Sequence, residues 1–257
     1  MLIVKVFFKH FLTLGFMQIL FQDKHMLVVN KPSGLLSQPG SLDDSVVHRL
    51  QGKYPFVGQV HRLDQYTSGI MVFGLNKKAQ SKLSIQFQDR QTFKVYEAVV
   101  YGRLPCPQGH IDLPLQCDWP NRPRQEVNTD GKQALTHWQK IACYEQQVNT
   151  SFETLDNQNN SNKELENFPD RFVFPYNQDH FNKTSTVSRV LLIPHTGRSH
   201  QLRVHMSAIG HPIIGDYFYA HNVAFTMANR LNLHARSLYL NHPFTGQRMQ
   251  FESHAPF

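Results

Sequence analysis

Residues 61–69 read His61-Arg62-Leu63-Asp64-Gln65-Tyr66-Thr67-Ser68-Gly69 and run directly into Ile70-Met71-Val72-Phe73-Gly74-Leu75. The second half is a short apolar run opened by a glycine, the pattern of a buried strand. Asp64 therefore stands in a loop just before a strand. Asn76 follows as a helix cap, and Ala79, Leu83 and Phe87 recur every four residues behind it, which predicts a helix. A neighbouring cation such as Arg62 favours the ionised form of a carboxylate, and the amides and hydroxyls of a Thr-Ser-Gly turn can bond the anion. Held ionised in a partly dry site, the Asp64 carboxylate can act as nucleophile or base. An isolated Arg-x-Asp string equally describes a surface pair that closes a turn.

Upstream, MQILFQ (17–22) and MLVVN (26–30) flank the polar Asp23-Lys24-His25, which predicts a hairpin. KPSGLLSQPG (31–40) is rich in turn residues and reads as a loop, with Lys31 as a weaker pointer towards a polyanion. Downstream, FKVYEAVVYGR (93–103) is β-branched and aromatic and predicts a strand carrying Tyr96. TVSRVLLIP (186–194) predicts another strand, and TGRSHQLRVHMSAIG (196–210) a transition into a helix. Leu202, Met206 and Ile209 share that helix's apolar face, and Gly210 and Pro212 end it. The Asn-rich stretch at about 150–185 lacks periodicity and reads as a polar surface insertion without catalytic residues. Its Asn-Lys-Thr at 182–184 matches a glycosylation sequon that a cytoplasmic protein would not use. Strands interspersed with a few helices, without steady alternation, predict an α+β fold and not a doubly wound sheet.

Hydrophobic residues make up 40% and charged residues 18% of the 257, which speaks against a mainly disordered or membrane-embedded chain. Lys and Arg outnumber Asp and Glu by 26 to 19, and the net charge of +7 suits a polyanionic partner. Three cysteines, Cys106, Cys117 and Cys143, show no C-x-x-C spacing, so neither a disulfide framework nor a cysteine zinc site is expected and a reducing cytoplasm fits. The apolar start is broken by Lys5, Lys9 and His10 and is followed by no small-residue cleavage site, so no export signal or membrane anchor is expected. Residues 1–16 read as an extension, with Met17 as an alternative start of a domain over 17–257.

HRLDQYTSGIMVFGLNKKAQ (61–80) resembles the signature of the RluA family of pseudouridine synthases, and FKVYEAVVYG (93–102) and TGRSHQLRVHMSAIGHPIIGDYFYA (196–220) resemble its second and third motifs in the same order. KPSGLLSQPG and DLPLQCDWPNRPRQ (112–125) look like the subgroup with dual specificity for 23S rRNA and the tRNA anticodon stem-loop. The resemblance implies the pseudouridine synthase fold, a mixed and mainly antiparallel sheet with a central RNA-binding cleft, with no S4-like domain ahead of it. It implies that Asp64 attacks, or otherwise assists, departure of uracil from the ribose. It places Tyr96 against the target base, pairs Arg203 with Asp64, and makes Leu202 part of the apolar wall. It implies neither a metal nor an organic cofactor. A tyrosine on a strand is otherwise a core residue, and an arginine on a helix face is usually solvated.

Chemistry on a uracil C–N bond requires the nucleotide out of its stack. Arg62 is the expected residue to hold the opened RNA, because a planar guanidinium both stacks on bases and bonds phosphates. Arg198, Arg122, Arg124 and Lys31 are weaker choices for backbone contacts. His195, His200, His205 and His211 invite a zinc reading, but their spacing lacks the four-residue step and no HExxH or carboxylate accompanies them. His195 also stands before the TGR turn where the family often has an apolar residue. The expectation is a cytoplasmic uridine isomerase, monomeric, acting on RNA and not on membranes. A catalytically idle RNA-binding protein on the same fold and a nucleoside hydrolase built on Asp64 are the rivals.

Overall fold

In the computed structural model the described residues are 4, 5, 13, 14, 17–40, 44–148 and 184–257. Residues 150–183 of the insertion expected at about 150–185 and most of the 1–16 extension lie outside them, while Thr184 and Ser185 already belong to a strand. The strands are β1 (Val4–Lys5), β2 (Thr13–Leu14), β3 (Met17–Gln22), β4 (Met26–Lys31), β5 (Gly58–Gln59), β6 (Ser68–Gly74) and β7 (Phe93–Tyr101). There follow β8 (Gln108–Asp112), β9 (Leu115–Cys117), β10 (Gln125–Val127), β11 (Leu135–Gln147), β12 (Thr184–Pro194), β13 (Leu233–Asn241) and β14 (Arg248–Glu252). The α-helices are α1 (Val46–Gln51), α2 (Lys77–Gln88), α3 (Gln201–Ala208) and α4 (Asn222–Thr226). Twelve strands form one sheet along the path β2-β3-β4-β6-β13-β7-β12-β11-β8, with β5 beside β6, β14 beside β13 and β1 beside β14, while β9 and β10 pair separately. Apart from the parallel pairs β6–β13 and β1–β14 the ladder is antiparallel, as the α+β reading expected.

β6 is buried along its whole length because both sheet faces are covered there. Met71 and Phe73 join Leu27 and Val29 of β4 against α1, where Val46, Val47 and Leu50 are buried. Ile70 and Val72 join Met26 and Val28 against Leu83 of α2 on the opposite face. The two-residue alternation of a strand sorts these side chains between the two layers. Asn76 caps α2 by accepting from the Ala79 amide at 2.9 Å. On the far side of the sheet, β7, β11 and β12 pack Ala98, Trp138 and Leu192 against Leu202 and Met206 of α3.

β13 joins the two halves. Its Ala235 lies opposite Gly69 of β6 and opposite Tyr96 of β7. Gly69 has φ +115°, and a Cβ on it would come within 2.4 Å of the Ala235 carbonyl oxygen, so this contact between β6 and β13 admits glycine alone. The close approach fixes the loop ahead of β6 relative to Tyr96. The start of α3 is anchored separately: the Gln201 side chain accepts from Thr196 Oγ1 and the Arg198 amide and donates to Leu135 O and Thr136 Oγ1. The TGRSHQ turn is thereby tied to β11, and His200, in the left-handed region at φ 52°, delivers the chain into the helix.

Candidate active site

The loop bearing Asp64 is held from beneath by the KPSG loop. Ser37 Oγ donates to Leu63 O at 2.6 Å and accepts from the Leu63 amide at 3.0 Å. The Lys31 ammonium donates to Pro32 O, Leu35 O and Gln65 O at 2.9, 2.7 and 2.8 Å, lashing the two loops together. Lys31 is fully buried, which corrects its reading as a contact for RNA phosphates: the carbonyls of its own and the adjacent loop take all of its protons. Burial pulls its pKa down to about 7, against the opposing charge of Asp64. The Asp64 carbonyl accepts from the Thr67 amide at 3.1 Å, closing the turn.

The Asp64 carboxylate remains 21% exposed, and its Oδ2 lies 3.6 Å from Nη1 of Arg203 and 3.9 Å from Nε2 of His200. Arg203 is buried, not solvated, and its closest partner is another acid. Nε and Nη2 donate to the two oxygens of Asp216 at 2.8 and 2.6 Å in a buried fork. The expected pairing of Arg203 with Asp64 is thus a looser contact by its third nitrogen, since Asp216 already fills the fork. Burial works against the guanidinium charge, but the hydrogen bonds and charge of Asp216, then Asp64, outweigh it and raise its pKa above the ordinary arginine value. Asp216 Oδ1 also accepts from the amides of Phe218 and Tyr219 at 2.9 and 3.3 Å, so the GDYFY turn is folded around it.

Tyr219 ties a second loop to the same point. Its hydroxyl accepts from the Gln125 amide at 2.8 Å and meets His200 Nδ1 at 2.6 Å, and the Arg203 guanidinium lies 5.1 Å from its ring centre. Burial pushes the Tyr219 phenol up to about 12. Burial also pulls the His200 imidazole down to about 4, with Asp64 opposing, so His200 is neutral at pH 7. Burial and then the charge of Asp64 push the Tyr96 phenol above its usual value, leaving it a neutral hydroxyl.

Arg62, Asp64, Tyr96, Leu202 and Arg203, expected from three separate motifs, all line one cleft of about 690 Å³, together with His200. Arg62 is exposed at this cleft, while Leu202 is 6% exposed within it. Of the weaker candidates, Arg198 lines the cleft and bonds Gln133 O, Arg122 lies 4.5 Å over the ring of the exposed Trp119, and Arg124 lies 5.6 Å from the Tyr219 ring. The four histidines of the zinc reading take separate partners: His195 packs on His137, His200 meets Tyr219, His205 bonds Thr136 and Leu113, and His211 bonds Tyr101. Asp216 and Tyr219 were not singled out by sequence reasoning, although both stand in the quoted GDYFYA. An acid followed by aromatics is an ordinary turn until its partner is known.

A carboxylate at the mouth of a cleft large enough for one nucleotide, beside a buried guanidinium and a tyrosine, suits an enzyme that works on a single base taken out of its strand. Residues 25–208 match the family model described as RNA pseudouridylate synthase. The dual-specificity RNA pseudouridine synthase RluA of Yersinia pestis is 45% identical over 245 residues, 94% of this chain and 100% of the relative. The protein of the same name from Escherichia coli strain K12 is 44% identical over 244 residues, 93% of each chain. Among solved structures, human RNA pseudouridylate synthase domain containing 1 superposes with a TM-score of 0.71 at 24% identity, covering 95% of this chain and 86% of that one, which supports the fold. The chain belongs to the RNA pseudouridylate synthase family and is an isomerase that converts uridine to pseudouridine in RNA.

Proposed function

We propose that this enzyme modifies both 23S rRNA and the tRNA anticodon stem-loop, using Asp64 as the carboxylate that attacks, or otherwise assists, departure of uracil from the ribose. The observation that carries the reading is the position of the Asp64 carboxylate, 21% exposed in the cleft and 3.6 Å from the Arg203 guanidinium. The bond between N1 and C1′ breaks, the base turns, C5 joins C1′, the C5 hydrogen leaves to solvent and N1 takes up a proton. Arg203, fixed by Asp216, faces the Asp64 carboxylate through this sequence. Tyr96 lies against the base, where an aromatic face stacks on a flipped pyrimidine and a neutral hydroxyl can meet a proton in transit. Leu202 supplies apolar wall, and Arg62, exposed at the cleft, stacks into the opened RNA or bonds its phosphates. The dual-specificity names of the relatives support two RNA targets. Residues 17–257 act as one catalytic domain carrying the polar insertion, in the cytoplasm and as a monomer. Among the described residues no helix is long and apolar enough to cross a membrane.

The test is tritium release from C5-labelled uridine in two transcripts, an anticodon stem-loop and a 23S rRNA fragment, with native enzyme and Asp64→Asn. Release from both transcripts by native enzyme, none by the variant, and no free uracil are expected. Release from one transcript alone refutes the dual target, and an active variant refutes the role of Asp64.

A further inference from the structure

Behind the catalytic loop lies a second cavity of about 300 Å³, separate from the cleft. Thr67 lines the cleft, and the next residue, Ser68, lines this cavity, as strand alternation requires. Gln18, Asn30, Lys31, Ser33, Arg230, His234 and His254 complete its polar wall, and no carboxylate among the described residues lines it. Ser68 Oγ accepts from Arg230 Nη2 at 2.7 Å and meets His234 Nδ1 at 2.8 Å. Arg230 Nε donates to the neighbouring Leu231 O at 3.2 Å, and Nη1 has no bonding partner among the described residues. No acid among the described residues comes within ion-pair distance of Arg230, in contrast to the buried Arg203.

Arg230 and, when it is protonated, Lys31 thus share a cavity that no carboxylate among the described residues lines, and their charges repel one another. Lys31 is committed to three carbonyls. The Arg230 guanidinium lies 5.5 Å from the centre of the Phe257 ring and keeps Nη1 unbonded among the described residues, and His254 stands exposed at the same cavity. Low-dielectric walls lined by one sign of charge concentrate counter-ions of the other sign. A guanidinium nitrogen with an unused proton next to a hydroxyl can bond the tetrahedral oxygens of a phosphate.

We propose that this cavity is an anion site that takes a phosphate group, held by Arg230 with the hydroxyl of Ser68 and with His254 at its rim, while the Ser33 hydroxyl is given to the Tyr66 carbonyl at 2.7 Å. The group is either a phosphodiester of the bound RNA or free inorganic phosphate, which present the same oxygens. A bound anion offsets the repulsion between Arg230 and Lys31 and so steadies the ammonium that lashes the KPSG loop to the Asp64 loop. The proposal does not depend on which uridine is modified.

Inorganic phosphate is titrated into the RNA-free full chain by calorimetry, using native protein, Arg230→Gln and His254→Gln. In parallel, RNA affinity is measured against salt concentration. Phosphate binding by native protein that weakens at least about tenfold in Arg230→Gln and less in His254→Gln supports the site. A salt slope reduced by about one in Arg230→Gln identifies an RNA phosphodiester as the occupant. Phosphate binding lost with the salt slope unchanged identifies free phosphate. No phosphate binding by native protein together with an unchanged slope overturns the proposal, as does phosphate binding that neither variant weakens. Should Arg230→Gln fail to fold, the exposed His254→Gln carries the test, and unaltered phosphate affinity and salt slope in it overturn the proposal.

Discussion

Replacing Asp216 by Asn keeps the shape of the side chain and removes its charge. Its side chain is 0% exposed and that of Arg203 is 3% exposed, so water cannot take over the guanidinium. Two charge-assisted bonds, at 2.8 and 2.6 Å, become at best one neutral acceptor and one amide facing a donor. Removing one partner of a buried pair costs about 3–5 kcal/mol. Asp64, 3.6 Å from Nη1, can still balance the stranded charge, which places the expected loss near the lower end, about 3 kcal/mol. For a chain of this size that lowers the Tm by roughly 6–12 °C. Turnover falls as well, because the guanidinium that faces Asp64 is no longer fixed from behind, while RNA binding through exposed residues is retained. Thermal unfolding of native protein, Asp216→Asn, Arg203→Met and the double variant completes the cycle, with tritium release read on each. The double variant is expected to be less destabilised than the sum of the singles, since no orphaned charge remains. A Tm for Asp216→Asn within about 1 °C of native, or strict additivity in the cycle, refutes the reasoning.

Arg62→Ala removes an exposed side chain and is expected to change stability by no more than about 0.5 kcal/mol. Its turnover on structured RNA should nevertheless fall at least about tenfold, and activity equal to native removes Arg62 from the opening step. Acid stability follows from the buried imidazoles of His200 and His234 and the half-buried one of His61, since burial pulls His61 to about 3 and His200 and His234 to about 4. Each folded value lies below the unfolded one of 6.5, so between them the unfolded chain binds more protons. Stability present above pH 6.5 is therefore lost as pH falls towards 4, by about 1.4 kcal/mol per unit for each group and about 4 kcal/mol per unit for the three together near pH 5. Denaturant titrations at pH 7, 6 and 5 check this, and a flat profile contradicts neutral burial of these histidines.

The strand after Asp64 was legible because both layers that cover it write apolar residues at every position of Ile70–Phe73. The cap at Asn76 and the face Leu202, Met206 and Ile209 were legible because capping and helical periodicity are local signals. The adjacency of β13 to both β6 and β7 was not, since Leu233–Asn241 carries no mark of its neighbours. Its consequence is local and specific: Gly69 must lack a side chain to pass Ala235, and that passage sets Asp64 across from Tyr96.

By itself the sequence determined the cast of the site. The carboxylate, the tyrosine and the arginine are recognisable by type and by the three ordered motifs that hold them, and those motifs also identify the family. Tertiary structure decided how each is used. Lys31 turns inward to clamp two loops, Arg203 gives its fork to Asp216 and only its third nitrogen to Asp64, and Arg230 has no acid partner among the described residues in a second cavity. Periodicity and motif spacing record what a residue is and which face it takes. Burial and charge pairing arise between segments far apart in the chain, and only the packed sheet brings those segments within bonding distance.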